Sequence, residues 1–203
     1  MTVLLLLVAL VSGQAAPARA APKRAGLTWV AADSLARKLE QIEGTLARAK
    51  GGKPALPRSV EVTEAELNSY LNLTLGPKVP PELSDVAFRI EPGRLAGTGF
   101  LDLDRLKAKA PPQGPWNPLN FLSGLVAVDL KTQLPSRDGM GNFAVDEVRL
   151  GGMSIPVSLL QQVVLTATRT RENPAGFDLS APFRLPYAVR QVRLERGRAW
   201  LDF

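Results

Sequence analysis

The sequence predicts an α+β fold: a long, curved antiparallel sheet wrapped around one or two apolar helices, with an N-terminal amphipathic helix ahead of it. Three observations carry this. Beyond Pro81 apolar residues alternate with polar ones, as on half-buried strands. Seventeen glycines and seventeen prolines fall mostly between those runs, where hairpin turns belong. Short stretches with a helical period flank and interrupt the alternation, and one of them is almost wholly apolar.

The chain opens on a segment with the pattern of a secretory signal, Met1–Ala20. Val3–Val11 is an unbroken apolar run, Ser12–Ala20 is small and polar, and Ala18-Arg19-Ala20 fits the cleavage rule. The run is shorter than the roughly 20 residues that span a bilayer. The expectation is export across an inner membrane to the periplasm, with tethering where the segment is left uncleaved. Residues 21–57 read as a tail and an amphipathic helix. That helix covers about Leu35–Ala49, capped by Asp33 or Ser34, and Gly51-Gly52-Lys53-Pro54 stops it. Leu35, Leu39, Ile42 and Leu46 form its apolar face, which either packs on the domain or receives a protein partner.

The main domain is expected over 58–203. Ser59–Val62 is a short strand. Thr63-Glu64-Ala65-Glu66 is a capping box, with Val62 and Leu67 at the hydrophobic-staple positions. The helix behind it, about Glu64–Leu73, puts Leu67, Tyr70 and Leu71 on one side. Gly76-Pro77 ends it. Val86, Phe88 and Ile90 share a strand face, and Pro92-Gly93 turns the chain. Leu95, Leu101 and Leu103 continue the alternation, with Gly97 and Gly99 leaving room for a close approach or a bend. Val126, Val128, Leu130 and Leu134 predict a third strand, with a turn at Ser136–Gly139. Phe143 and Val145, then Val148 and Leu150, predict a fourth, with a bulge near Asp146-Glu147 where the parity slips. Pro156 opens a helix bearing Leu159, Leu160, Val163 and Val164, broad enough in its apolar face to be covered by sheet. Phe177, Leu179, Phe183 and Leu185 follow as strand, and Val192 and Leu194 pair through Arg196-Gly197 with Trp200–Phe203. The whole comes to about seven or eight strands, mostly hairpin-linked and therefore antiparallel.

Composition narrows the chemistry. The chain has no histidine and no cysteine, so the usual neutral-pH base, the thiolate nucleophile and the commonest metal ligands are missing. There is no G-x-S-x-G elbow, no S-x-x-K pair and no D-x-D-x-D-G calcium loop. Asp102 and Asp104 share a strand face, but on the side opposite Leu101 and Leu103, facing solvent. No enzyme activity, cofactor or metal is expected. A net charge of +6 is either a solvated basic surface or an attraction to anionic headgroups. Nucleic acid is not the expected partner, because the basic residues are scattered and no aromatic-basic run of RNA-recognition type occurs.

The segments VEVTEAELNSYLN (Val60–Asn72), LGGMSIPVSLLQ (Leu150–Gln161) and PFRLPYAVRQVRLERGRAWL (Pro182–Leu201) resemble the YpmS-like and LmeA-like secreted bacterial proteins. So does the order of capped helix, hairpins, glycine pair, proline-opened helix and final hairpin. Those families resemble the tubular lipid-binding (TULIP) superfamily. The resemblance implies a sheet wrapped around a helix, an apolar groove for acyl chains between them, and lipid binding or transfer at the cell envelope. It departs in the N-terminal helix, which the resemblance does not cover.

Periodicity alone does not tell a filled core from a lined cavity. On the resemblance, the wall residues are Leu67, Tyr70, Leu71, Phe88, Leu101, Val128, Phe143, Leu159, Leu160, Val163 and Phe183, around a phospholipid or other acyl lipid. The loop from Lys107 to Leu122 is proline-rich and carries Lys107, Lys109, Trp116, Leu119 and Phe121. Tryptophan beside basic residues suits peripheral contact with an anionic membrane; folding back into the core is the alternative for the same loop. The alternative for the whole chain is a structural subunit of an envelope complex, with a filled core and a partner on the Leu35–Leu46 face or along a sheet edge.

Overall fold

The structure, a computed structural model, describes residues 26–49, 55–76, 79–109, 122–169 and 174–203. The signal segment, the Gly51-Gly52-Lys53-Pro54 stop, and Trp116, Leu119 and Phe121 lie outside them. The fold is α+β with antiparallel sheets and a few helices. Its strands divide into three sheets rather than one long one.

Helix α1, Trp29–Arg48, begins earlier than its Asp33 or Ser34 cap predicts. Thr28 is the cap, and its Oγ1 accepts from the Ala31 amide at 3.1 Å. Ser34 lies inside the helix, where its hydroxyl donates to Glu66 Oε1 at 2.5 Å. Leu35, Leu39 and Ile42 are buried, and Leu35 and Leu39 join a core with Leu67, Leu71, Phe88 and Ile90. Leu46 is half-buried. A polar lock stands beside the apolar one. Lys38 Nζ donates to both oxygens of the buried Glu66 carboxylate, at 2.7 and 2.8 Å, and to the Glu61 carbonyl at 2.7 Å. Burial pushes the Glu66 carboxyl up. Hydrogen bonds from Lys38, Ser34 and the Thr63 amide, with the Lys38 charge, outweigh it and hold the group below its ordinary range. Of the two outcomes expected for the leucine stripe, Leu35 and Leu39 show packing on the domain.

Strand β1 (Ser59–Thr63) leads into α2 (Glu64–Ser69) through the predicted capping box. Thr63 Oγ1 accepts from the Glu66 amide at 3.2 Å, and Glu66 Oε2 accepts from the Thr63 amide at 2.9 Å. A π-helical turn, Tyr70–Thr74, continues α2. The polar side of this helix lies along the outer edge of β2 (Leu83–Glu91). Glu64 Oε2 accepts from the Ile90 amide at 2.8 Å. Asn68 exchanges two bonds of 2.7 Å with the amide and carbonyl of Phe88. Asn72 Nδ2 donates to the Val86 carbonyl at 2.9 Å. Four helical residues rise about 6.0 Å and two strand residues about 6.6 Å, so the two rows stay in step.

The largest sheet has the order β2-β3-β4-β7-β8. Its members after β2 are β3 (Arg94–Asp102), β4 (Leu125–Gln133), β7 (Ala144–Leu150) and β8 (Met153–Ser154). The predicted bulge is present: Lys131 faces Glu147 and Thr132 faces Val145, which leaves Asp146 unopposed. Between β4 and β7 a tight hairpin of β5 (Ser136–Arg137) and β6 (Met140–Gly141) turns at Asp138 and Gly139, both at positive φ, 52° and 81°. It pairs with β9 (Phe183–Arg184) in a small second sheet. Phe177 and Leu179, expected in a strand, are in loop, so β9 is much shorter than the alternation predicts. In the third sheet β11 (Arg198–Asp202) is central, flanked by β1 and β10 (Gln191–Glu195). The predicted Val192/Leu194 hairpin is there, with Val192 opposite Leu201 and Leu194 opposite Ala199.

Two helices cover one end of the large sheet. α4, Val157–Ala167, follows Pro156 as expected. The other, α3 (Leu103–Lys109), is a correction. The Leu101–Leu103 alternation predicts continued strand, but β3 ends at Asp102, whose Oδ1 accepts from the Arg105 amide at 3.0 Å. Leu103 and Leu106, three apart on α3, are both buried against Leu101, Leu150, Leu159 and Val163. Asp102 and Asp104 are therefore not paired on a strand. Asp104 Oδ2 instead accepts from the Gly124 amide at 3.0 Å.

Candidate functional site

The inward face of the large sheet is set by its register. Phe88 faces Gly97, and Gly97 faces Leu130, which faces Val148. One pair further along, Gly99 faces Val128, which faces Leu150. The glycine predicted to allow close approach does so: a Cβ on Gly97 would lie 3.0 Å from the Phe88 ring, so the ring needs that bare backbone. Two adjacent small positions hollow the sheet. α4 crosses this hollow with Leu160, Val163 and Val164, but does not fill it.

A cavity of about 200 Å³ remains between them. Its wall is hydrocarbon apart from a few polar residues, of which Glu82 is a buried one at the β2 end. The two buried threonines of the wall are already engaged. Thr132 Oγ1 lies 3.0 Å from the carbonyls of both Gln133 and Ala144, and its one proton is shared between them. Thr168 Oγ1 accepts from the Phe177 amide at 2.6 Å. Neither hydroxyl has reason to seek a ligand. Val128, Leu130 and Val145 line the cavity and stay only half-buried, because nothing stands before them. Toward the small second sheet the cavity ends at an aromatic group. The Phe143 ring centroid is 5.0 Å from that of Phe183 and 6.2 Å, edge-on, from that of Phe177.

Six of the expected wall residues meet here: Phe88, Leu101, Val128, Phe143, Leu160 and Val163. The others are placed elsewhere. Leu67 and Leu71 lie in the α1–α2 core, with Tyr70 packed against it. Leu159 turns toward α3, and Phe183 sits behind Phe143. Sequence reasoning missed Leu83, Ile155, Val164 and Phe177 as wall residues. Ile155 belongs to no regular element, so no periodicity points to it, and the alternation that includes Phe177 reads a strand where the chain is in loop. A second apolar cavity, about 80 Å³, lies between the Leu39 side of α1 and the β10–β11 sheet, and Leu67 lines it.

Of the expected membrane-contact residues, Lys107 is described in full. Its Nζ donates to the Leu122 carbonyl at 2.7 Å, so its charge also holds the two ends of the loop together. Close to the start of β4, the β7–β8 turn and the first turn of α4 present Leu125, Met153 and Val157, which are 62%, 55% and 44% exposed. Among the described residues no group of acidic side chains is placed to hold a metal ion, and no helix is long and apolar enough to cross a membrane. No family model, curated protein or solved structure matches the chain.

Proposed function

We propose that this chain is an envelope-located lipid-binding protein of TULIP-like build, which holds an acyl chain between its large sheet and α4. The observation that carries the reading is the cavity: about 200 Å³ of apolar space whose buried hydroxyls are already satisfied by backbone. Apart from Glu82 at the β2 end, such a wall recognises hydrocarbon, so a headgroup would stay outside it. An apolar cavity of about 150 Å³ holds one benzene ring, so about 25 Å³ serves each carbon. The cavity then encloses about eight carbons, which is part of one acyl chain and not two. The ligand is a single-chain lipid, or a phospholipid held by one of its tails.

The energetics suit a carrier. Removing about eight methylenes from water contributes roughly 6 kcal/mol gross. Association and ordering cost about 4–15 kcal/mol. The balance allows exchange rather than permanent capture. The exposed Leu125, Met153 and Val157, with the net positive charge, fit a rim that rests on an anionic bilayer while a tail is passed.

The test is native mass spectrometry of gently purified protein, together with titration of the delipidated protein with the fluorescent fatty acid cis-parinaric acid. A co-purified lipid near one per chain, or saturable one-to-one binding of the probe, supports the reading. A lipid-free protein that also leaves the probe unbound overturns it.

A further inference from the structure

The two apolar cavities are neighbours. They have two wall residues in common, Leu95 and Phe143. Leu95 is fixed: its strand β3 is paired on both sides, to Ile90 and to Thr132. Phe143 is held differently. It lies just before β7, outside the strand ladders, and is only half-buried. Its ring is stabilised mainly by Phe177 and Phe183. A single aromatic side chain on a loop thus forms part of the partition between about 200 Å³ on one side and about 80 Å³ on the other.

We infer that Phe143 is the ruler that sets the length of the acyl chain this protein accepts. This rests on the lipid-binding reading above. With the ring in place, a chain entering along α4 and the large sheet meets the aromatic group and stops. With the ring removed, the chain runs on between Leu67, Ile90 and Leu194, which line the second cavity with hydrocarbon. By the same scale used for the first cavity, the added space takes about three further carbons. Aromatic rings also favour this position physically: their edge and face contacts hold a stop in place without any polar atom that would have to be solvated.

The experiment compares saturated fatty acids from C4 to C18 by displacement of cis-parinaric acid, in the natural protein, Phe143→Ala and Phe143→Leu, each checked by thermal unfolding. In the natural protein each added methylene should tighten binding, up to about fourfold, until the cavity is full, after which affinity levels off. In Phe143→Ala the break should move to chains about three carbons longer. Phe143→Leu, which loses less packing, should show a smaller shift in the same direction and serves if the alanine variant does not fold. A break at an unchanged length in the folded variants overturns the assignment, as does a uniform loss of affinity at every length. Failure of the natural protein to bind any chain overturns the lipid-binding reading itself, and so is told apart from failure of the ruler.

Discussion

Val128→Phe puts a ring where the structure places empty space, and the sign of its effect on stability tests whether that space exists. Val128 lies mid-strand in β4, facing Gly99 on one side and Leu150 on the other, and points into the cavity. An unfilled apolar void of about 200 Å³ weakens a fold by about 5 kcal/mol at roughly 24 cal/mol per Å³. Phenylalanine has four more side-chain carbons than valine. Burying them contributes roughly 3 kcal/mol, and fixing the larger side chain costs about 0.5–1 kcal/mol. The variant should therefore be more stable by about 2–2.5 kcal/mol in its lipid-free form. In a filled core the same change would cost about 1–3 kcal/mol through overpacking. Urea unfolding of delipidated protein, followed by far-ultraviolet circular dichroism, reads the difference. Binding of cis-parinaric acid, measured in parallel, should weaken at least about tenfold, since the ring takes space the chain needs (about 1.4 kcal/mol). A destabilised variant with undiminished probe binding would refute the reasoning, because the ring would then have entered packed protein away from the ligand.

Three further outcomes follow from other parts of the molecule. Glu66→Gln removes the charge that Lys38 meets and should lower stability by about 1–3 kcal/mol; because the carboxyl is held below its ordinary value, its contribution is present above about pH 4.5 and is lost as pH falls through the lowered value, so the acid limb of a stability–pH curve should flatten in the variant. Asn68→Ala strips the Phe88 amide and carbonyl of their partner and should cost about 1–3 kcal/mol in urea unfolding, with faster aggregation by light scattering. Leu125→Ser combined with Met153→Ser, at exposed positions, should reduce co-sedimentation with anionic phosphatidylglycerol vesicles while leaving the unfolding midpoint within about 0.5 kcal/mol of the natural protein; unchanged co-sedimentation would remove this rim from the membrane contact.

Local chemistry was legible in the sequence, and long-range assembly was not. The capping box at Thr63 and Glu66, the helix behind Pro156, the Asp146 bulge and the final hairpin all follow from residues close together in the chain. α3 escaped because Leu101 and Leu103 read as alternation, while the helical pair Leu103 and Leu106 is too short to show a period. α1 was placed late because Asp33 and Ser34 are good caps by type, yet Ser34 is drawn to Glu66 from another helix. The division into three sheets depends on pairings such as β1 with β11, which join opposite ends of the domain. The cavity was half legible. Strand parity pointed to Phe88, Leu101 and Val128, but the same parity would hold in a filled core. Leu67 and Leu71 share a helical face that meets α1 rather than the sheet, and nothing local to them says so.

The row of Glu64, Asn68 and Asn72 along β2 carries a consequence for association. These side chains take up the main-chain valences through which another molecule's backbone would zip onto the flank of the large sheet. Recruitment by strand addition is closed on that side, whether the newcomer is a client peptide or a sister chain caught half-folded. Two amides and one carboxylate thus do the insulating work usually left to prolines or lysines, and the carboxylate, Glu64, spends an oxygen on the Ile90 amide rather than on solvent.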